Sequence, residues 1–258
     1  MKTIFLTSSL GNTIKTKNGR IAKKCDNSNF FIDRLKFCAP QIRTMVFFAS
    51  SPDAYEINDP YSKNTQESFN FDGFGIENLI LIDHRFKGDL EKFVMSADAL
   101  FFAGGHVPTQ NAFFKEIGLK DILKKYNGII IGQSAGSMNC AKLVYAPPEE
   151  DEEFEDGNYQ REIDGLGLVN FTIMPHMNSA EEVDEQGHPT LMQMCLEDSY
   201  TMPHYGICDY GFIEVKDNKA IAYGKTFLIK NGECVEICGD KEKIEISEDY
   251  NKIESIIK

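Results

Sequence analysis

An α/β fold, a mostly parallel, doubly wound sheet with helices on both faces, is what this sequence predicts, on three observations. Short apolar runs rich in β-branched and aromatic residues alternate with helix-length polar or amphipathic stretches over the first half of the chain, as in successive βαβ units. Those runs are apolar at nearly every position, as strands covered on both faces must be. One of them, residues 128–131, leads straight into Gly132-Gln133-Ser134-Ala135-Gly136, a serine bracketed by glycines where a strand gives way to a helix.

Taken in order, the first strand is expected over residues 3–7 (TIFLT), and a helix over 28–37. A second strand at 44–49 (TMVFFA) precedes a helix at 61–74, and a third at 79–83 (LILID) precedes a helix at 89–96. The fourth, 99–103 (ALFFA), is followed by a helix read as continuous over 109–126, and the fifth is Gly128-Ile129-Ile130-Ile131. Beyond the serine the character changes. Ala146-Pro147-Pro148 opens a loop, and residues 149–156 are acidic at every position but Phe154, so self-repulsion predicts a solvated, extended surface loop over 146–161. A lid flanking the site is the alternative reading. Chain order resumes at Gly165-Leu166-Gly167-Leu168-Val169. Residues 170–174 read as a strand ending at Pro175-His176, and 204–208 as another ending at Asp209. From 212 to 237 the alternation is strand-like, with turns at Asp217-Asn218 and Asn231-Gly232. Antiparallel hairpins at the sheet edge follow, as a C-terminal extension over 212–258 of a single α/β domain spanning 1–258.

Composition narrows the function classes. At 258 residues and 42% hydrophobic content the chain can bury a sizeable core. Its net charge of −13, from 27 basic and 40 acidic residues, argues against nucleic-acid partners and anionic membranes. No window approaches 18 consecutive apolar residues, and the first apolar stretch is too short for a signal sequence, so a soluble cytoplasmic protein is expected. Seven cysteines without a CxxC pair suggest reduced thiols, with neither a disulfide framework nor a metal site. A homo-oligomer is compatible with the sequence.

The glycine-flanked serine points to acyl transfer. A strand that turns at once into a helix thrusts its turn residue outward, and the helix beginning at Ala135 aims free N–H groups at the reacting centre. A serine hydroxyl still needs a base, itself oriented by a third group. Of five histidines, His84 follows a strand beside Arg85, His106 follows Gly104-Gly105, His188 lies in a polar loop and His204 precedes a strand. His176 is the best candidate, because it ends a strand downstream of Ser134, and Asp209 ends the next. An α/β-hydrolase order, Ser134, then Asp164 or Asp184, then His204, is open on spacing alone. Gln133, beside the nucleophile, either contacts substrate or packs inward.

Several segments together resemble the serine peptidase family that contains dipeptidase E and cyanophycinase, over roughly residues 44–214. The Gly132–Gly136 elbow matches that family's GxSAG motif. Ala103-Gly104-Gly105-His106 matches its glycine pair, with His106 where the family usually has Asn. Gly165-Leu166-Gly167-Leu168 followed by Pro175-His176 matches the setting of its base. Gly206-Ile207-Cys208-Asp209-Tyr210-Gly211 is similar to its Gly-x-x-Glu-Gly, with Asp for Glu and one extra residue. The resemblance implies a glutamine amidotransferase-like, flavodoxin-like sheet and a peptidase acting on small peptides without a cofactor. It further implies a triad of Ser134, His176 and Asp209, and an oxyanion hole from the N–H groups of Gly105 and Ala135. For His106, substrate contact and simple space-filling both remain open. Arg85 and Arg161 are the cationic candidates for an acidic substrate. Another serine hydrolase, an esterase or amidase, and a catalytically silent binding domain on the same fold are the competing readings.

Overall fold

The computed structural model describes residues 2–17 and 19–252; the last six residues of the expected C-terminal extension lie outside them. The chain opens with β1 (Thr3–Thr7) and a hairpin of β2 (Thr13–Thr16) and β3 (Gly19–Ala22), then enters α1 (Phe31–Cys38). Next come β4 (Thr44–Phe48), α2 (Tyr55–Phe71), β5 (Asn78–Ile82), α3 (Leu90–Ser96) and β6 (Ala99–Phe102). The segment read as one helix is two, α4 (Val107–Glu116) and α5 (Leu119–Lys125), because Gly118 between them takes a left-handed conformation, φ 62°. A helix cannot continue through such a residue. Conversely α2 starts six residues earlier than expected and runs through Pro60; a proline this near the N-terminus removes only one helical bond, and Asn58 Nδ2 donates to Ser51 O at 3.0 Å to hold the first turn.

The elbow strand β7 (Ile129–Gln133) and the short α6 (Ala135–Met138) follow, then β8 (Leu143–Tyr145). Part of the acidic segment, expected to be extended, is helical: α7 (Asp151–Glu155) is closed by a capping box in which Glu150 and Glu153 serve each other's backbone. Seven carboxylates in eight residues repel, yet three of them lie in a first helical turn, where free N–H groups attract negative charge. The remaining elements are β9 (Glu162–Asp164), β10 (Ile173–Met174), α8 (Leu191–Asp198), β11 (His204–Ile207), β12 (Phe212–Lys216), β13 (Lys219–Tyr223), β14 (Thr226–Lys230), β15 (Glu233–Cys238) and β16 (Lys243–Ile246). β10 is shorter than residues 170–174 because Thr172 N–H donates instead to Tyr250 Oη, at 2.9 Å.

The main sheet has eight strands in the order β16-β13-β12-β1-β7-β6-β4-β5. From β1 to β5 every neighbour is parallel, while β12, β13 and β16 continue antiparallel from β1. The C-terminal strands therefore do not all extend that edge. β14 and β15 leave it for a second sheet, β10-β11-β14-β15, in which β10 and β11 run parallel. Side-chain alternation splits each central strand between two apolar layers. Ile4, Leu6, Val46, Phe48, Leu100, Phe102 and Ile130 face one, and Phe5, Met45, Phe47, Phe101, Ile129 and Ile131 the other. Among the described residues, no helix is long and apolar enough to cross a membrane.

Candidate active site

Parallel neighbours end on the same side, so β1, β7 and β6 deliver Ser8, Ser134 and the Gly104-Gly105 pair to one rim. The parallel pair of the second sheet does the same for His176, beyond β10, and Asp209, beyond β11. Ser134 adopts φ 50° and ψ −117°, a conformation that a side-chain-bearing residue takes only when its surroundings impose it. Here they do: Ser134 N–H donates to Thr7 O at 2.9 Å. A Cβ on Gly132 would press on the backbone of Gly136 and Ser137, and one on Gly136 would overlap the backbone of Phe102. Both flanking glycines are thus required by close packing of the elbow on itself and on β6.

His176 is also left-handed, φ 60° and ψ 31°. Its backbone N–H donates to Ser8 Oγ at 2.9 Å. Its ring lies 2.9 Å from Ser134 Oγ through Nε2 and 2.7 Å from Asp209 Oδ1 through Nδ1. Ser8 Oγ, fully buried, donates to the same Asp209 oxygen at 2.8 Å. Burial pushes the Asp209 carboxyl up. Hydrogen bonds with His176 and Ser8, the His176 charge and Asn178 outweigh it and hold the group below the usual carboxylate range. An ionised carboxylate only accepts, so the proton between the pair belongs to Nδ1, which leaves Nε2 to accept from the Ser134 hydroxyl. That is the tautomer a general base needs.

On the other side of Ser134, Gly104 N–H donates to Tyr61 Oη at 3.1 Å. Gly105 sits at φ 151° with the Ser50 side chain where its own Cβ would be. The N–H groups of Gly105 and Ala135 have no hydrogen-bond partner among the described residues. Burial pushes the Tyr61 hydroxyl up to about 12, so it remains a neutral phenol. A cleft of about 900 Å³ opens beside these groups, walled by the β2–β3 hairpin, α2 and Tyr210. Gln133 lines it, with a buried Oε1 lacking any partner among the described residues.

With this geometry in view, the comparisons decide the family: the profile of peptidase family S51 matches residues 16–223, four-fifths of the chain. The chain belongs to peptidase family S51. It is a serine-type peptidase of the dipeptidase E type. A crystal structure from Listeria monocytogenes EGD-e, described as a "putative peptidase E protein", shares its fold, with a TM-score of 0.60. The two are 17% identical over 86% of this chain and 98% of that one. No curated protein sequence matches the chain.

In this S51 peptidase, Ser134, His176, Asp209, Gly105 and Gln133 gather at one site. The alternative acids and base do not. His204 is fully buried, stacked on Tyr145 at 5.2 Å between ring centroids, with Nδ1 on Met202 O. Asp184 pairs with His188 at 2.7 Å, and Asp164 lies in β9. The cationic candidates are committed elsewhere. Arg85 is held by Asp59 and Asp83, and Arg161 by Asp198, so neither is free to meet substrate. The cations that do line the cleft are Arg20 and Lys23, from the hairpin and its exit, where no element was expected. His106 is occupied at both ring nitrogens by Thr109 and Glu153, which argues against direct substrate contact. Sequence reasoning missed Ser8, although it directly follows the carboxyl end of β1 and such ends are where sites form. It also missed Asn178, whose Oδ1 accepts from Asp209 N–H at 2.9 Å, and Tyr61; these carry no local signal, since only the fold brings them to the site.

Proposed function

We propose that this peptidase hydrolyses small peptides through Ser134, His176 and Asp209, on a sheet of the glutamine amidotransferase type. The observation that carries the reading is the unbroken relay from Asp209 Oδ1 through His176 to Ser134 Oγ, at 2.7 and 2.9 Å, assembled from two different sheets. Ser134 Oγ attacks the scissile carbonyl carbon while His176 Nε2 takes its proton. Asp209 stabilises the imidazolium that forms, and the oxyanion develops against the N–H groups of Gly105 and Ala135. His176 then returns the proton to the leaving amine, and water, activated by the same imidazole, hydrolyses the acyl-enzyme. A cleft of about 900 Å³, closed along one side by the hairpin, suits a peptide of a few residues better than a folded protein.

The test is active-site labelling combined with a substrate panel. A fluorophosphonate is expected to modify Ser134 in the unaltered protein and not after His176→Ala, and dipeptides to be cleaved with the same dependence on His176. Labelling that survives His176→Ala would remove His176 as the base. Turnover of esters with no cleavage of any dipeptide would move the protein to a different class of hydrolase.

A further inference from the structure

The acidic segment that the sequence reads as a solvated loop is instead tied to the backbone carrying the proposed oxyanion donor. His106 directly follows Gly105 and is gripped at both ring nitrogens, Nδ1 lying 2.7 Å from Thr109 Oγ1 and Nε2 2.8 Å from Glu153 Oε1. Glu153 is itself fixed, since its other oxygen accepts from the backbone N–H groups of Glu149 and Glu150 at 2.8 and 3.2 Å. The pair is largely covered, its side chains 24% and 15% exposed. Burial pushes the Glu153 carboxyl up, but those two N–H groups and His106 bring it below its ordinary range, so it is an anion at neutral pH. A second contact anchors the same helix: Phe154 stacks on His188 at 4.0 Å and 3°. Gly104 and Gly105 have no side chains to hold them, and at φ 151° Gly105 lies where other residues rarely go. The His106 ring is the handle next to them on the chain.

We infer that Glu153 is a positioning residue: through His106 it holds the Gly104-Gly105 segment in place beside Ser134. This rests on the reading of Gly105 N–H as an oxyanion donor. Carboxylate, imidazole and loop form one chain of contacts, so a shift at α7 is passed to the N–H. Displacements of under an ångström at such a donor are costly, because its stabilisation depends on meeting the oxygen only where charge develops.

The experiment measures fluorophosphonate phosphonylation of Ser134, with loss of fluoride, in the full chain at several probe concentrations, which separates the limiting rate from the half-saturating concentration. Glu153→Ala is expected to lower the limiting rate about tenfold or more, with half-saturation unchanged. Glu153→Gln keeps one acceptor oxygen for the Glu149 and Glu150 N–H groups and offers its amide N–H to His106 Nε2, which accepts it when the ring is protonated at Nδ1 and donates to Thr109; it is expected to restore the rate to within about threefold. His106→Ala is expected to match the Glu153→Ala loss, and the double variant to lose no more than either, as two links in series must. Near-UV circular dichroism identical to the parent confirms that each variant is folded. An unchanged rate in Glu153→Ala, an effect confined to half-saturation, or additive losses in the double variant would each overturn the inference while leaving the triad intact. Absence of Ser134 labelling in the unaltered chain would overturn the triad reading, and the inference with it.

Discussion

Replacing Ser8 by alanine tests whether the site is held from β1. The hydroxyl does two jobs: it donates to Asp209 Oδ1 at 2.8 Å and accepts the backbone N–H of His176 at 2.9 Å. The first bond is to an ionised carboxylate. The second supports a histidine at φ 60°, which a side-chain-bearing residue does not adopt by preference. Ser8 is fully buried, so the variant leaves the His176 N–H without its acceptor and the Asp209 carboxylate one donor short, at a cost of about 2 kcal/mol. For a chain of this length that is a fall in Tm of roughly 4–8 °C. If half or more of the loss falls on the transition state, where Asp209 faces a full imidazolium, acylation slows by about 5- to 30-fold. The Asp209 carboxyl, losing a donor, moves up toward its ordinary value. The assay is differential scanning calorimetry beside the rate of fluorophosphonate labelling. A Tm within a degree of the parent, together with a labelling rate within twofold, would refute the reasoning that β1 orients the triad.

Three further outcomes are expected. Asp209→Asn, which presents an amide to His176 Nδ1 and favours the wrong tautomer, should lower turnover by about 10³- to 10⁴-fold with Tm nearly unchanged, as steady-state kinetics will show. Gly105→Ala places a methyl group where the Ser50 side chain sits and demands φ 151° of alanine; it should cost about 1–3 kcal/mol in urea unfolding and roughly 100-fold in acylation. Burial pushes His204 down to about 4 from its ordinary 6.5, so the folded state binds its proton less readily than the unfolded state does. The stability this neutral histidine permits is therefore fully present above pH 6.5 and lost progressively between 6.5 and 4, amounting to about 3 kcal/mol. Urea midpoints measured over that range should fall with pH and flatten in His204→Phe; a parent curve already flat would refute the assignment.

The strands were legible because burial on both faces writes itself into consecutive residues. TMVFF and ALFF have no reading but an enclosed strand, and they lie where expected within a residue or two. The elbow was legible for the same reason, as the glycines at 132 and 136 answer to contacts within two turns of chain and with the adjacent strand. The second sheet was not. Residues 226–238 alternate much as 212–223 do, and alternation reveals a strand without naming its partner. The acidic helix was hidden for a related reason. Its composition signals repulsion, while its stability comes from a capping box and from His106 and His188, which lie far away in sequence.

What the sequence determined by itself was the parallel α/β core and the glycine-flanked serine at a strand end, since each depends on local periodicity or on a turn of a few residues. Tertiary structure alone decided which groups meet. It brought Ser8 to His176 and Asp209, committed Arg85 and Arg161 to carboxylates elsewhere, and set Arg20 and Lys23 along the cleft. Strand register and sheet order fix those distances, and both arise from pairing between segments that are remote in the chain.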